Sequence, residues 1–128
     1  PTNENLRSVV ESVSREIEQL YGVPVDSVIV GDTPATAKTR VLTSALREAL
    51  ANAVRHGKPP ISLYVEFSGQ EVEAYVRDHG AGFELEAINP DRHGVRDSII
   101  GRMQRHGGSA TIRAREPGTE VCLRLALQ

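Results

Sequence analysis

Cysteine is nearly absent: Cys122 is the only one in 128 residues, so no internal disulfide can form. That fits a reducing compartment. Long apolar runs are missing too, all falling short of the roughly 18 residues a membrane span requires, and no leader pattern opens the chain. The segment therefore reads as cytoplasmic, whether or not a longer parent protein is membrane-anchored. There is no basic excess: 15 Lys and Arg stand against 17 Asp and Glu, a net charge of −2, which argues against a nucleic-acid partner. Neither a P-loop, G-x-x-x-x-G-K-[ST], nor the fingerprint G-x-G-x-x-G occurs. The four histidines, His56, His79, His93 and His106, lack zinc-like spacing, and a single thiol does not complete a zinc set. Cys122 sits in an alternating pattern and reads as packing rather than as a nucleophile.

What is present is the composition of an ordinary globular domain, 39% hydrophobic and 25% charged, sized for one core and one domain. The chain opens at Pro1 and turns helix-like almost at once, which reads as a segment of a longer protein. Leu6, Val9, Val10, Val13, Ile17 and Leu20 recur at helical steps and predict a helix over residues 3–21, capped by Thr2 or Asn3 and ended by Gly22 and Pro24. Val25, Val28, Ile29 and Val30 form a short strand. Thr33-Pro34 reads as the next helix start, because proline at the first helical position loses no hydrogen bond. Residues 37–55 carry one uninterrupted apolar stripe, stopped by Gly57, Pro59 and Pro60. Two alternating segments around Ser68-Gly69-Gln70 predict a hairpin. Residues 77–93 read as loop, with one helical turn near Glu84. Val95, Ile99, Ile100 and Met103 mark a third helix closed by Gly107-Gly108, and a second hairpin turns at Pro117-Gly118. The expected fold is α+β: a two-layer sandwich with a mixed, mostly antiparallel sheet of about five strands and three helices on one face. Ser62, Glu66, Glu73, Arg113 and Arg124 mark the other, more exposed face.

Two stretches carry chemistry. On the uninterrupted helix, Glu48, Asn52 and His56 follow at four-residue steps, a row beside the apolar stripe. Taken alone, such a row is most often a solvated helix face. Its residue types point further, because a carboxylate and an amide oxygen are hard donors that hold Mg²⁺ together with waters and phosphate oxygens. Arg55 and Lys58 stand at the end of the row. Asp78 follows a strand and precedes Gly80 and Gly82. That is the make-up of a polar turn, and also of a backbone that a ligand can approach closely. A buried Asp there can accept from an exocyclic amine. The order of the two stretches suggests a nucleotide site between a helix and a sheet.

E-x-x-x-N-A-x-x-H at residues 48–56, D-x-G-x-G-F at 78–83, Gly94 ahead of a helix, then G-G and G-T-x-V follow in order. Each motif is modest alone, and their order over roughly 75 residues is specific. The chain resembles the ATP-binding domain of sensor histidine kinases, members of the GHKL ATPase superfamily, most of all the compact actinobacterial type. The resemblance implies that Asn52 and Glu48 hold Mg²⁺, that Glu48 orients or activates a group near the γ-phosphate of ATP, and that His56 or Arg55 touches phosphate. It implies that Asp78 binds the adenine amine, with Gly80 and Gly82 forming the pocket wall and the hinge of the ATP lid, which runs from Phe83 to His93. Gly94 and Val95 would bring phosphate to free amides at a helix start, and Thr119 would complete the adenine end. The second glycine box departs from its usual G-x-G, with Arg92 at the earlier position and available to a phosphate. None of the four histidines lies in a phosphoacceptor hairpin. The resemblance therefore implies a separate dimerisation and phosphoacceptor domain and a downstream response regulator. The segment is expected to be monomeric, to bind ATP and to be largely inactive alone, within a homodimeric parent. An anti-sigma-factor-type serine kinase of the same fold and a catalytically silent GHKL interaction module share the motifs.

Overall fold

The computed structural model describes residues 5–80, 90–114 and 117–127, with the side chains of 90–96 and 114 excepted. Among the described residues the helices are α1 (Leu6–Tyr21), α2 (Ala37–His56) and α3 (Pro90–Arg105). The strands are β1 (Val25–Val30), β2 (Ile61–Phe67), β3 (Glu71–Asp78), β4 (Gly108–Ala114) and β5 (Thr119–Ala126). They form one five-stranded sheet in the order β1-β2-β3-β5-β4. β1 and β2 are parallel, joined through α2, as parallel neighbours require a crossover. Every other pairing is antiparallel. The mixed α+β arrangement expected from the sequence is the one found.

Alternation decides which sheet face is covered. Leu63, Val65, Val72, Ala74, Val76, Leu123 and Leu125 are buried in one cluster with the stripes of all three helices. From α1 come Leu6, Val10, Val13 and Ile17; from α2 Leu42, Ala45, Leu46, Ala49, Leu50 and Ala53; from α3 Ile99 and Met103. The opposite face carries Ser62, Tyr64, Glu66, Glu73 and Arg124, with Arg124 ion-paired to Glu73 at 2.6 Å. Cys122 lies on this outer face opposite Tyr75, and burial pushes its thiol pKa up. A thiol so held stays protonated at neutral pH and packs instead of attacking.

Local chemistry sets the helix ends, in three places differently from the sequence expectation. Thr2 and Asn3 lie outside the described residues, and it is Asn5 that caps α1, its Oδ1 accepting from the Ser8 amide at 2.9 Å. α2 begins not at Thr33-Pro34 but at Ala37, capped by Thr36. There the Thr36 and Thr39 hydroxyls reciprocally accept each other's backbone amides, at 3.2 and 2.8 Å, which satisfies two otherwise orphaned donors. Pro34 instead forms a bridge with Asn5, and the Leu6 amide donates to the Thr33 carbonyl at 2.8 Å. α3 begins at Pro90, five residues before the expected Val95, with proline at the helix start where its missing N–H costs nothing. The expected helical turn near Glu84 lies outside the described residues. α3 is followed by a turn at Gly107, whose φ of 82° is left-handed and reverses the chain into β4.

No helix among the described residues is long and apolar enough to cross a membrane. Leu46 is fully buried between α2 and the sheet, so Leu46→Ala is expected to cost about 2–5 kcal/mol of stability, read as a lower midpoint in urea denaturation followed by circular dichroism.

Candidate functional site

The row on α2 runs along the rim of the core. Ala45, Leu46, Ala49, Leu50 and Ala53 turn inward, which leaves Glu48 and Asn52 half-buried at the edge of the same helix. The Asn52 Oδ1 atom is shielded from solvent and has no hydrogen-bond partner. Leaving a buried acceptor unpaired costs about 1–3 kcal/mol, so this atom is a place where something from outside the chain would be stabilised. Glu48 Oε1 is equally shielded and makes no hydrogen bond, yet it lies 3.1 Å from the Arg102 guanidinium. The two facts are compatible: the distance makes an ion pair, while the N–H groups aim elsewhere, so Oε1 keeps its capacity to accept. At the end of the row Arg55 is exposed and His56 half-buried.

Asp78 closes β3 and is 3% exposed. Its Oδ1 accepts the Gly80 amide at 2.8 Å, which pins the turn that follows. Two glycines make room for it. A Cβ on Gly57 would meet the Asp78 side chain at 2.5 Å and the Ala53 carbonyl at 2.6 Å. A Cβ on Gly118 would collide with the Asp78 backbone, and the φ of 103° at Gly118 excludes most side chains in any case. The His79 amide donates to the Lys58 carbonyl at 2.9 Å, and its Nδ1 lies 2.7 Å from the Pro60 carbonyl. These contacts stitch the end of α2 to the end of β3. Thr119 lies directly opposite Asp78 across β3 and β5, 2% exposed, with an unpartnered Oγ1. Asn52 precedes Gly57 by five residues, about 7.5 Å of helix, and Glu48 is one turn further. Asp78 and Thr119 thus stand at one end of a line that continues through Asn52 to Glu48.

The remaining expected residues stand differently. Gly82 and Phe83 lie outside the described residues, as does most of the expected lid. Arg92, Gly94 and Val95 fall within α3 and not ahead of it. The Gly94 amide is therefore committed to the carbonyl four residues earlier in an ordinary helix. The free amides of this helix belong to its first turn, where Arg92 sits. Sequence reasoning missed Arg102 and Gly57. Arg102 had a signal, since Ser98 and Arg102 share the four-residue step of their neighbours Ile99 and Met103. Gly57 had none beyond its role as a helix stop, because its function depends on Asp78, distant in sequence.

The donor set fits a magnesium ion bound together with a phosphate-bearing ligand. Asn52 Oδ1 and Glu48 Oε1 are hard oxygens, one turn apart and unengaged by hydrogen bonds. Two such donors suit an ion that keeps its waters and takes the rest of its shell from phosphate.

Residues 1–124 match the family described as "Histidine kinase-like ATPase domain". Sensor protein CseC of Streptomyces avermitilis is 42% identical over 84 residues, 64% of this chain and 16% of that protein. Sensor protein CseC of Streptomyces coelicolor is 38% identical over 93 residues, 70% of this chain and 17% of that protein. The chain thus spans about a sixth of the length of these relatives. Among solved structures, the Acinetobacter baumannii histidine kinase AdeS superposes with a TM-score of 0.69 at 17% identity, covering 100% of this chain and 70% of that one. The mycobacterial sensor histidine kinase MprB gives 0.65 at 14% identity, covering 98% of this chain and 97% of that one. These two likenesses are of fold.

The fit of Gly57 against Asp78 is itself testable. Gly57→Ala is expected to lower stability by about 1–3 kcal/mol through overpacking, measured by thermal or urea denaturation. A neutral outcome would show that the end of α2 is not held against β3.

Proposed function

This chain belongs to the histidine kinase-like ATPase domain family, and from that membership we propose that it binds Mg-ATP along the line from Asp78 to Glu48. The γ-phosphoryl is then passed to a histidine on a separate dimerisation domain, and onward to a response regulator. The observation that carries this reading is the buried, unpartnered Asn52 Oδ1 on the row of α2 whose far end is packed against Asp78.

At the base end, the Asp78 carboxylate accepts from the adenine exocyclic amine, and the Thr119 hydroxyl supplies a second polar contact. Gly80 lets the backbone come close to the base. At the phosphate end, Asn52 and Glu48 would hold Mg²⁺, with Arg55 or His56 meeting phosphate oxygens and Arg92 a further candidate cation. Bound there, the ion neutralises the charge of the phosphates. Glu48 orients the attacking imidazole as its unprotonated nitrogen bonds to the γ-phosphorus and the bond from that phosphorus to its bridging oxygen breaks, so that ADP leaves and the proton on the other ring nitrogen passes to solvent. Phosphoryl transfer asks the protein for positioning and charge neutralisation rather than covalent participation, which suits a domain that lends its site to an acceptor on another domain. The family description, histidine kinase-like, together with two relatives named as sensor proteins, supports a histidine acceptor over a serine of a partner protein.

Asp78→Asn is expected to weaken ATP binding by roughly 1.5–3 kcal/mol, about 10- to 150-fold in Kd. Isothermal calorimetry measures this, and unchanged affinity would remove Asp78 from the base site. Asn52→Ala should weaken ATP binding in Mg²⁺ while leaving affinity in EDTA as in the parent chain. An equal loss in both buffers would sink the assignment of Asn52 to the metal.

A further inference from the structure

Arg102 reaches from α3 to the row on α2. Its NH1 group donates to Ser44 Oγ at 3.1 Å and its NH2 group to Ser98 Oγ at 3.3 Å. The same NH1 lies 3.1 Å from Glu48 Oε1, which nevertheless accepts no hydrogen bond. Ser44 sits one turn before Glu48 on α2, and Ser98 one turn before Arg102 on α3. The guanidinium is thus gripped from both helices by hydroxyls. It lends Glu48 a compensating charge without taking the lone pairs that a metal or an attacking group would need. Ile99 and Met103, adjacent to Ser98 and Arg102, are 2% and 0% exposed and fix the rotation of α3 that aims the side chain. A planar fork can serve three oxygens in this way; a lysine ammonium presents a point charge on a flexible stem and does not reproduce the arrangement.

We infer that Arg102 is a positioning residue of the nucleotide site, holding Glu48 beside Asn52 for the metal–phosphate end without itself touching the nucleotide. This rests on the nucleotide reading proposed above.

The test titrates the chain with a non-hydrolysable ATP analogue in Mg²⁺ and in EDTA, by calorimetry. The readout is the ratio of the two affinities, with circular dichroism and a thermal midpoint for each variant. Arg102→Met is expected to keep the EDTA affinity and to lose on the order of 10-fold of the enhancement by Mg²⁺, the usual scale for removing a group that orients a metal ligand. Arg102→Lys should recover part of it by restoring charge without the fork. Combined with Glu48→Gln, Arg102→Met should add nothing, because both act through one carboxylate. Should Arg102→Met fail to fold, the pair Ser44→Ala and Ser98→Ala loosens the guanidinium alone and is expected to show the same selective loss.

An equal loss in Mg²⁺ and EDTA overturns the inference in favour of a direct nucleotide contact. So does a lowered thermal midpoint with the enhancement intact, which would leave Arg102 as a clamp between helices. Full additivity with Glu48→Gln overturns it as well. If the parent chain binds the analogue in neither buffer, the nucleotide reading itself falls and takes the inference with it. If the parent chain shows the enhancement and Arg102→Met matches it, the inference alone falls.

Discussion

The junction between the end of α2 and the end of β3 is the constraint on which the rest of the site depends. Gly57 lies so close to Asp78 that a methyl group there would overlap its side chain, and the His79 amide is tied to the Lys58 carbonyl. One helix and one strand, each held by its own apolar face, are thereby locked at a common end. Without that lock the row on α2 and the carboxylate on β3 would be two unrelated polar features. With it they form a line whose two ends differ in chemistry: a buried acid beside a threonine hydroxyl at one, hard oxygens and a guanidinium at the other.

Three of the four shielded polar atoms without a hydrogen-bond partner among the described residues lie along this line, the fourth being Arg77 Nε on the outer face of β3. Asn52 Oδ1, Glu48 Oε1 and Thr119 Oγ1 are shielded without hydrogen-bond partners. Each such atom is unfavourable in a fold that buries its apolar residues cleanly elsewhere. α2 can carry the cost because its other face is anchored by Leu42, Leu46 and Leu50, all fully buried. Core packing on one side of a helix thus holds a polar, unsatisfied edge in place on the other.

Much of the architecture was legible because it depends on periodicity. The stripe on α2, the alternation in both hairpins and the apolar marks on α1 and α3 each report a local decision about which face is buried. Candidate site residues stood out only where type and spacing coincided, as with Glu48 and Asn52 one turn apart, or Asp78 at the end of an alternating strand. The helix starts were less legible, because two signals compete over a few residues. Pro34 is a good first residue of a helix, but the reciprocal hydroxyl-to-amide pair of Thr36 and Thr39 satisfies two donors at once and prevails. Arg102 was hidden for another reason, since its partner Ser44 lies 58 residues away.

By itself the sequence determined the kind and order of the described elements, the α+β class and which residues are candidates for a site. Each follows from hydrophobic burial read at a fixed period, or from the donor chemistry of a side chain. Tertiary structure alone decided that Gly57 makes room for Asp78, that Thr119 faces it across the sheet, and that the Arg102 guanidinium lies beside Glu48. These are relations between residues far apart along the chain, and they come into existence only when the helices and the sheet share one core.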